Sequence, residues 1–170
     1  MSNLTLGPIL EAHLPTLFKW VNDKEIIDNS NNYKPVHELM HETWYANLAK
    51  DKSRFVFSIN LDNVLIGTCQ LYNVDMINSN AEIQIRIGDT EKRGRGYGGL
   101  ALKELLNFAF NSLNIHKVYL FVFHINDSAI HLYKKNGFCT DGILRQHSFI
   151  NGKYLDLICM SLLYKEWLNE

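Results

Sequence analysis

The chain has 170 residues, about the length of one domain, and no repeat, low-complexity tract or Pro/Gly-rich linker divides it, so we expect a single domain over residues 1–170. Its 17 Lys and Arg residues against 18 Asp and Glu give a formal net charge of −1, which excludes the basic footprint of proteins that bind nucleic acid or anionic membranes. With 46% hydrophobic and 21% charged residues, the composition is that of a folded globular chain and excludes intrinsic disorder.

The N-terminal segment and the cysteines bear on the compartment. No basic segment is followed by an apolar stretch, and no apolar run approaches the roughly 18 residues needed to span a bilayer, so we expect a cytoplasmic protein without membrane contact. Cys69, Cys139 and Cys159 lie far apart without a CxxC motif and have apolar neighbours. They are predicted to be reduced, buried thiols, and no metal site is expected.

The first half of the chain predicts a strand, two helices and an antiparallel meander. Apolar spacing after a first strand at 4–9 predicts an amphipathic helix over 13–21, and Pro35 marks the start of a second helix after a polar loop. Three strand-like runs follow at 55–60, 64–73 and 81–87, the first two joined by a tight turn at Leu61-Asp62-Asn63.

The second half begins with a glycine-rich turn that leads from the meander into a long helix over 100–113. A near-continuous apolar run at 117–124 predicts a buried strand, and Asp127-Ser128 caps a helix that ends at Asn136-Gly137. A final hairpin turns at Asn151-Gly152 between strands at 138–150 and 154–163. The element order is β-α-α-β-β-β-α-β-α-β-β, which defines an α/β (α+β) chain.

The glycine-rich turn, Arg93-Gly-Arg-Gly-Tyr-Gly-Gly99, lies between a strand and a helix N-terminus. Backbone N–H groups there can converge on an anion with no Cβ in the way, and the helix dipole adds about half a positive charge, so a phosphate or pyrophosphate ligand is predicted. Gly94-x-Gly96-x-x-Gly99 also satisfies the dinucleotide fingerprint, but the required carboxylate about 20 residues further on is missing. No Gly-Lys-Ser/Thr follows, which excludes a nucleotide P-loop.

Two motifs in this chain resemble one family. Arg93-x-x-Gly96-x-Gly98 is similar to the Q/R-x-x-G-x-G/A signature of the GCN5-related N-acetyltransferases (GNAT), whose loop wraps the pyrophosphate of acetyl-coenzyme A, and the run from Asn126 to Phe138 resembles their second motif. Residues 141–156 are most similar to the branch of ribosomal-protein N-terminal and spermidine acetyltransferases. The resemblance implies a mixed, mostly antiparallel sheet of about seven strands with helices on both faces, and acetyl-CoA as cosubstrate.

The resemblance also implies catalytic residues. Glu82, on the strand before the glycine turn, corresponds to the family's general base, although an ion pair with Arg86 on the same strand face is an alternative. Tyr133 corresponds to a tyrosine near the coenzyme sulfur that acts as general acid, with core packing as the alternative. No cysteine occupies a matching motif position, which favours direct transfer in a ternary complex. His124 is the rival acid or base.

Coenzyme contacts are implied along two strands and the turn. In the family the strand that carries Glu82 splays from the next one, and its unpaired backbone groups bind pantetheine and polarise the acetyl carbonyl. Asn126 resembles an asparagine that bonds the coenzyme, although it is also a candidate turn residue. The predicted coenzyme-binding residues are Ile85, Arg86, Ile87, Arg93, Gly94, Arg95, Gly96, Tyr97, Gly98, Gly99 and Asn126.

The acceptor is expected to enter beside the first two helices and the final hairpin. Asp28 is the one carboxylate of residues 28–33, where spermidine enzymes of this branch carry several acids, and this departure speaks against a polyamine. Tyr33, Trp44 and Tyr154 are candidates to stack on a sugar ring, with core packing as the alternative.

Several acceptors remain open. The expected one is a small-molecule primary amine of amino-sugar, nucleotide-linked amino-sugar, polyamine or aminoglycoside type. A protein N-terminal acetyltransferase is the alternative, and a non-catalytic acyl-CoA-binding module is a more remote one. A homodimer or larger homo-oligomer is also expected.

Overall fold

The computed structural model describes residues 3–28, 30 and 34–168. Seven strands form one mixed sheet in the order β1-β2-β3-β4-β5-β7-β6, in which β4 and β5 are parallel and the other neighbours antiparallel. The predicted sheet is therefore confirmed. The strands are Leu4–Gly7 (β1), Phe55–Leu61 (β2), Val64–Asp75 (β3), Asn80–Ile87 (β4), Lys117–Phe123 (β5), Cys139–Ile150 (β6) and Lys153–Leu163 (β7).

The helices follow the predicted order with additions before β2 and after β7. A 3-10 turn at Glu11–His13 leads into the first helix, and a π-helical turn at Phe108–Ser112 continues the fourth. The fourth helix begins directly after Gly96, three residues before its predicted start. The helices are Leu14–Val21 (α1), Lys24–Asp28 (α2), Glu38–Leu48 (α3), Tyr97–Asn107 (α4), Asp127–Lys135 (α5) and Tyr164–Trp167 (α6).

The segment between α1 and α3 differs from its prediction as a loop. The short helix α2 forms there because the carboxylate of Asp23 accepts hydrogen bonds from backbone N–H groups of its first turn. Helix α3 begins at Glu38 and not at Pro35. The side chain of Asn22 binds both backbone groups of Val36, at 2.9 and 3.0 Å, and holds the residues before the helix extended.

Helical spacing of apolar residues predicts an apolar face on α3, and the structure contradicts this for two of the five residues. The predicted face comprises Val36, Leu39, Met40, Trp44 and Leu48. Leu39 and Met40 are 73% and 53% exposed, whereas His41 is buried. The His41 ring stacks on Trp44 at 5.2 Å and meets Phe18 edge-on at 5.6 Å, and burial lowers the pKa of this imidazole. The helix thus packs through an aromatic contact that apolar periodicity does not reveal.

Strand β4 is covered by a helix on each face. Helix α4 packs against β1, β3 and β4, and its Leu102 and Leu105 are fully buried in the main core. On the opposite face, α1 brings Trp20 so close that a Cβ on Gly88 would lie 2.1 Å from the indole ring. Glycine is therefore required where β4 ends, and the two faces of β4 have different surroundings.

The cysteines were predicted to be buried, and the structure contradicts this for one of them. Cys69 is buried, and burial raises its pKa to about 12, while Cys159 is partly buried. Cys139 is exposed because it begins β6, the edge strand of the sheet.

Two further properties concern the described residues only. Within residues 3–28 and 34–168, no cluster of three His, Cys, Asp or Glu side chains is placed to hold a metal ion. No helix in that part of the chain combines the length and apolar character needed to cross a membrane.

Candidate active site

Strands β4 and β5 run side by side for three residue pairs and then separate. Asn80, Ala81 and Glu82 pair with residues 117–119, after which β4 stays paired only with β3, and β5 only with β7. Over residues 83–87, the edge of β4 that faces β5 has no partner strand within the described sheet. Its backbone N–H and C=O groups are therefore available to a ligand.

A cleft of about 860 Å³ occupies this separation. Strands β4 and β5, the glycine turn, α5, α2 and the β6–β7 hairpin all contribute to its walls. Most of the predicted catalytic and coenzyme residues meet there, although they come from four separate elements. Those that line the cleft are Glu82, Ile85, Arg86, Ile87, Arg93, Gly94, Gly96, Gly98, Gly99, Asn126 and Tyr133.

The glycine turn forms an open cradle at the N-terminus of α4. Gly94 and Gly96 have φ of 70° and 85°, in the left-handed region that favours glycine, and nothing lies within 4 Å of where their Cβ atoms would be. Gly98 and Gly99 need no such freedom, since a Cβ on either would make an ordinary 3.6 Å contact with Leu132. The cradle and the helix N-terminus suit a pyrophosphate.

Two residues of the turn do not contribute side chains to the cleft lining. Tyr97 packs against the main core, and Arg95 is exposed to solvent. Their predicted role in coenzyme binding is therefore confined to backbone groups and to contacts outside the cleft.

The side chain of Arg93 is engaged by the protein. Its Nε donates to the carbonyl of Ile87 at 2.9 Å, Nη2 donates to the carbonyl of Gly88 at 3.2 Å, and Nη1 lies 2.7 Å from Oε1 of Glu25. One guanidinium thus ties the start of the glycine turn to the end of β4 and to α2. This arrangement fixes the turn relative to the separated edge of β4.

Glu82 lies at the last residue pair before β4 and β5 separate. Its Oε1 accepts a hydrogen bond from the hydroxyl of Tyr72, and its Oε2 accepts one from Nδ2 of Asn73 at 3.0 Å. Burial, and then the hydrogen bond to Glu82, raise the pKa of Tyr72, so this phenol stays protonated and donates. The alternative ion pair between Glu82 and Arg86 is absent from the described contacts.

Tyr133 belongs both to the core and to the cleft. Its ring packs against Phe138 with centroids 5.5 Å apart, and its hydroxyl makes no hydrogen bond to any residue that the structure describes. Burial raises its pKa to about 12. Burial therefore makes this phenol a weaker acid than a solvent-exposed tyrosine.

Asn126 caps a helix and also lies at the cleft. Its Oδ1 accepts hydrogen bonds from the N–H of Ala129 and the hydroxyl of Ser128, which caps α5, and the residue also lines the cleft. His124 is exposed and lies outside the cleft lining. The N–H of Asp156 donates to its Nδ1 at 3.2 Å.

Three of the four predicted acceptor residues, Asp28, Trp44 and Tyr154, do not line the cleft. Asp28 bonds Lys24 and Nδ2 of Asn151, Trp44 lies in the aromatic cluster of α3, and Tyr154 is 65% exposed. Tyr33 lies outside the described residues. The contacts of Asp28 link α2 to the β6–β7 hairpin, and both of these elements contribute to the cleft wall.

Other residues line the acceptor side, and sequence reasoning missed them. A bulge in β6 between Leu144 and Ser148, where Gln146 has φ of 49° and its N–H donates to Asp156, brings Leu144 and His147 to the cleft. Glu25, Ile26 and His131 also line it. Tyr72 also lines the cleft, and its position could have been predicted from the sequence, because the pairing of the two strands in the meander places it opposite Glu82.

Comparison with known proteins gives one consistent family. Residues 3–139 match the family model of the Acetyltransferase (GNAT) domain. The chain is 32% identical to the spermidine N(1)-acetyltransferase of Vibrio cholerae, over 99% of this chain and 98% of that protein. The crystal structure of spermidine N-acetyltransferase from V. cholerae in complex with CoA and spermine matches with a TM-score of 0.92, 31% identity and 98% coverage of both chains. A dodecameric structure of that enzyme in an intermediate state has a TM-score of 0.85 at 29% identity, covering 98% of this chain and 96% of the other.

The chain therefore belongs to the GNAT acetyltransferases. It is an N-acetyltransferase that uses acetyl-CoA and acetylates a small-molecule amine. The predicted fold, reaction class and cosubstrate are confirmed, and the reading as a non-catalytic module is set aside. The open glycine cradle and the unpaired edge of β4 fit the pyrophosphate and pantetheine of such a coenzyme.

Proposed function

We propose that this enzyme transfers the acetyl group directly to a primary amine while both substrates occupy the cleft. The observation that carries this proposal is the position of Glu82 at the end of the β4–β5 pairing, next to the unpaired edge of β4. An amine beside this carboxylate lies next to the backbone groups that would hold a thioester. A base and an electrophile are thereby adjacent.

Each step is assigned to residues of this chain. Glu82, directly or through a water molecule, accepts a proton from the ammonium, while Tyr72 and Asn73 hold its carboxylate in place. Backbone N–H groups of 85–87 donate to the thioester carbonyl oxygen and to the pantetheine amides. The N–H groups of 94–99 hold the pyrophosphate. Acetyl-CoA, when bound, supplies the activated acetyl group.

Tyr133 assists the departure of the thiolate. Because burial raises its pKa to about 12, the phenol keeps its proton at neutral pH and donates a hydrogen bond to the sulfur as negative charge develops there. Complete proton transfer from this phenol to the thiolate is uphill, since the thiol is the stronger acid. The final proton therefore comes from the ammonium through Glu82 or from solvent.

We also propose that the chain assembles with copies of itself. The V. cholerae relative has a dodecameric structure, and this chain exposes large apolar side chains on two separate elements. Leu39 and Met40 are exposed on α3, and Ile143 and Phe149 are 58% and 61% exposed on β6. Light scattering after gel filtration tests this, and a monomer at micromolar concentration would contradict it.

The experiment for the proposed reaction combines binding with turnover. Acetyl-CoA is expected to raise the melting temperature by linkage, and thiol release is expected with at least one class in a panel of amino sugars, phosphorylated amino sugars, amino acids, spermidine and N-terminal peptides. Spermidine is included because the V. cholerae relative is named for it. Release with peptides alone would replace the small-molecule acceptor by a protein N-terminus, and no release with any acceptor would refute the proposal.

A further inference from the structure

One face of β4 presents a polar row toward the acceptor side. Glu82, Gln84 and Arg86 alternate with isoleucines that face the core under α4, and Gly88, next on the same face, lies against Trp20 of α1. The row therefore belongs to the side of the sheet covered by α1 and α2. It does not face α4, whose N-terminus forms the pyrophosphate cradle.

The members of this row differ in their partners. Oε1 of Gln84 accepts a hydrogen bond from Nε2 of Gln70 on β3, at 2.7 Å. The carboxylate of Glu82 accepts hydrogen bonds from Tyr72 and Asn73. Arg86 lies opposite Thr68 and makes no hydrogen bond or ion pair with any residue that the structure describes. It nevertheless lines the cleft and is partly buried.

A partly buried guanidinium without a partner is unfavourable because it has lost hydration and gained no hydrogen bonds. Burial, and then the nearby charge of Arg93, lower the pKa of Arg86 accordingly. Arg93 carries the same charge and cannot neutralise Arg86, and the N–H donors of Arg93 already bind Glu25 and two backbone carbonyl groups. Of the two guanidinium groups, Arg86 is the one left to bind a ligand.

The charged residues that line the cleft also favour an anionic group on the ligand. Among the described lining residues, the only carboxylates are Glu25 and Glu82, and Glu25 is already bonded to Arg93. The lining cations are Arg86, Lys92, Arg93 and Lys135. A polycation with several ammonium groups would find one available carboxylate here and would lie beside an unneutralised guanidinium.

We propose that Arg86 binds an anionic group of the acceptor, so that the acceptor is an amine that also carries a phosphate or a carboxylate. The inference rests on the proposed function for the amine end, which lies at Glu82. At about 3.3 Å per residue, the Cα atoms of residues 82 and 86 are about 13 Å apart on one strand face, and both side chains reach into the cleft. A guanidinium donates two parallel hydrogen bonds to either anion.

Matched acceptors test this proposal. Thiol release is measured with glucosamine 6-phosphate against glucosamine, with lysine against its decarboxylated form cadaverine, and with spermidine. For the wild type we expect the anion-bearing member of at least one pair to have a kcat/KM at least about tenfold higher than its anion-free partner and higher than that of spermidine. The pair that shows the preference distinguishes a phosphate from a carboxylate. A wild type that uses spermidine faster than every anion-bearing amine would overturn the proposal.

Variants separate a specificity role from a structural one. Arg86→Met is expected to abolish the preference for the anion, so that the ratio of the kcat/KM values of the two members of a pair falls to about one, and Arg86→Lys should restore part of the preference. Arg145→Met removes an exposed arginine outside the cleft lining and should change neither value. An equal loss for both members of a pair in Arg86→Met would show that Arg86 does not select the acceptor.

A binding measurement does not depend on turnover. With CoA present, glucosamine 6-phosphate or lysine should raise the melting temperature of the wild type, and Arg86→Met should lose that shift. If no acceptor is acetylated but this difference remains, the proposed reaction fails and the anion site stands. If neither compound shifts the wild type, or if both proteins shift equally, the anion site is refuted.

Discussion

The coenzyme side and the acceptor side of the cleft are built in different ways. The coenzyme side comes mainly from one continuous stretch, in which β4, the glycine turn and α4 follow each other over residues 80–107, and Asn126 is the one predicted coenzyme residue outside it. The acceptor side is assembled from distant segments, and the hydrogen bond from Asn151 to Asp28 joins residues 123 positions apart. The first can therefore be specified by a short motif, whereas the second depends on the tertiary structure and can vary while the reaction stays the same.

Glu82→Gln should have the largest effect, because it should lower turnover without weakening coenzyme binding. The amide keeps its shape but cannot accept a proton, so kcat should fall by about 10²- to 10⁴-fold while acetyl-CoA binds as in the wild type. Steady-state kinetics and calorimetric titration measure the two effects, and Glu104→Gln on the exposed surface of α4 is the control. Near-normal turnover would assign the base to another residue.

Tyr133→Phe tests the element that touches both sides. Loss of a hydrogen bond to a developing thiolate should lower kcat by about 10- to 100-fold with little change in acetyl-CoA affinity. The ring contact with Phe138 is retained, so the melting temperature should hardly change. An unchanged kcat would leave Tyr133 with core packing alone.

Gly96→Ala affects the coenzyme side only. A Cβ in the left-handed region costs about 1–2 kcal/mol, so the Kd for acetyl-CoA should rise about 5- to 30-fold as the turn relaxes. Gly142→Ala is a matched control, because nothing lies within 4 Å of its Cβ position and its φ is not positive. Equal effects of the two substitutions would contradict the role assigned to the turn.

Asp28→Asn affects the acceptor side and should have the smallest effect. The hydrogen bond from Lys24 and then that from Asn151 lower the pKa of Asp28, so its contribution to stability is present above about pH 4 and is lost as the pH falls through the folded-state pKa. The acceptor KM should rise less than about fivefold.

Asp51→Asn is the control for this substitution, because hydrogen bonds from Ser53 lower the pKa of Asp51 in the same direction, outside the cleft lining. Thermal melts from pH 3 to 7 should show the same trend for both variants, but only Asp28→Asn should change KM. A KM change of equal size in Asp51→Asn would contradict a local role for Asp28.

The features that the sequence predicted correctly depend on neighbouring residues. The turns at Asp62-Asn63 and Asn151-Gly152 both have positive φ at their two central residues, as their residue types favour, and the strands on each side follow from alternation. Glu82 and the glycine turn could be located because the family motif fixes their spacing.

The features that were missed depend on contacts between distant segments. The side chain of Asn22 holds Val36, 14 residues further on, and the ring stack of His41 buries a polar residue at a position that the apolar spacing of α3 does not include. The bulge that brings His147 to the cleft depends on Asp156 of the neighbouring strand. No local pattern carries this information, so the acceptor side could not be predicted in detail.

The short pairing between β4 and β5 has a consequence for hydrogen exchange at the edge of β4. Three residue pairs connect the two parts of the sheet, of which one contains the four strands β1 to β4 and the other the three strands β5 to β7. The backbone amides of 85–87 that face the gap should exchange hydrogen with solvent quickly in the free protein and slowly once a ligand bridges the gap. A coenzyme bound in this gap would lie along β4 in the place of a strand, between two parts of a sheet that are otherwise joined by three residue pairs.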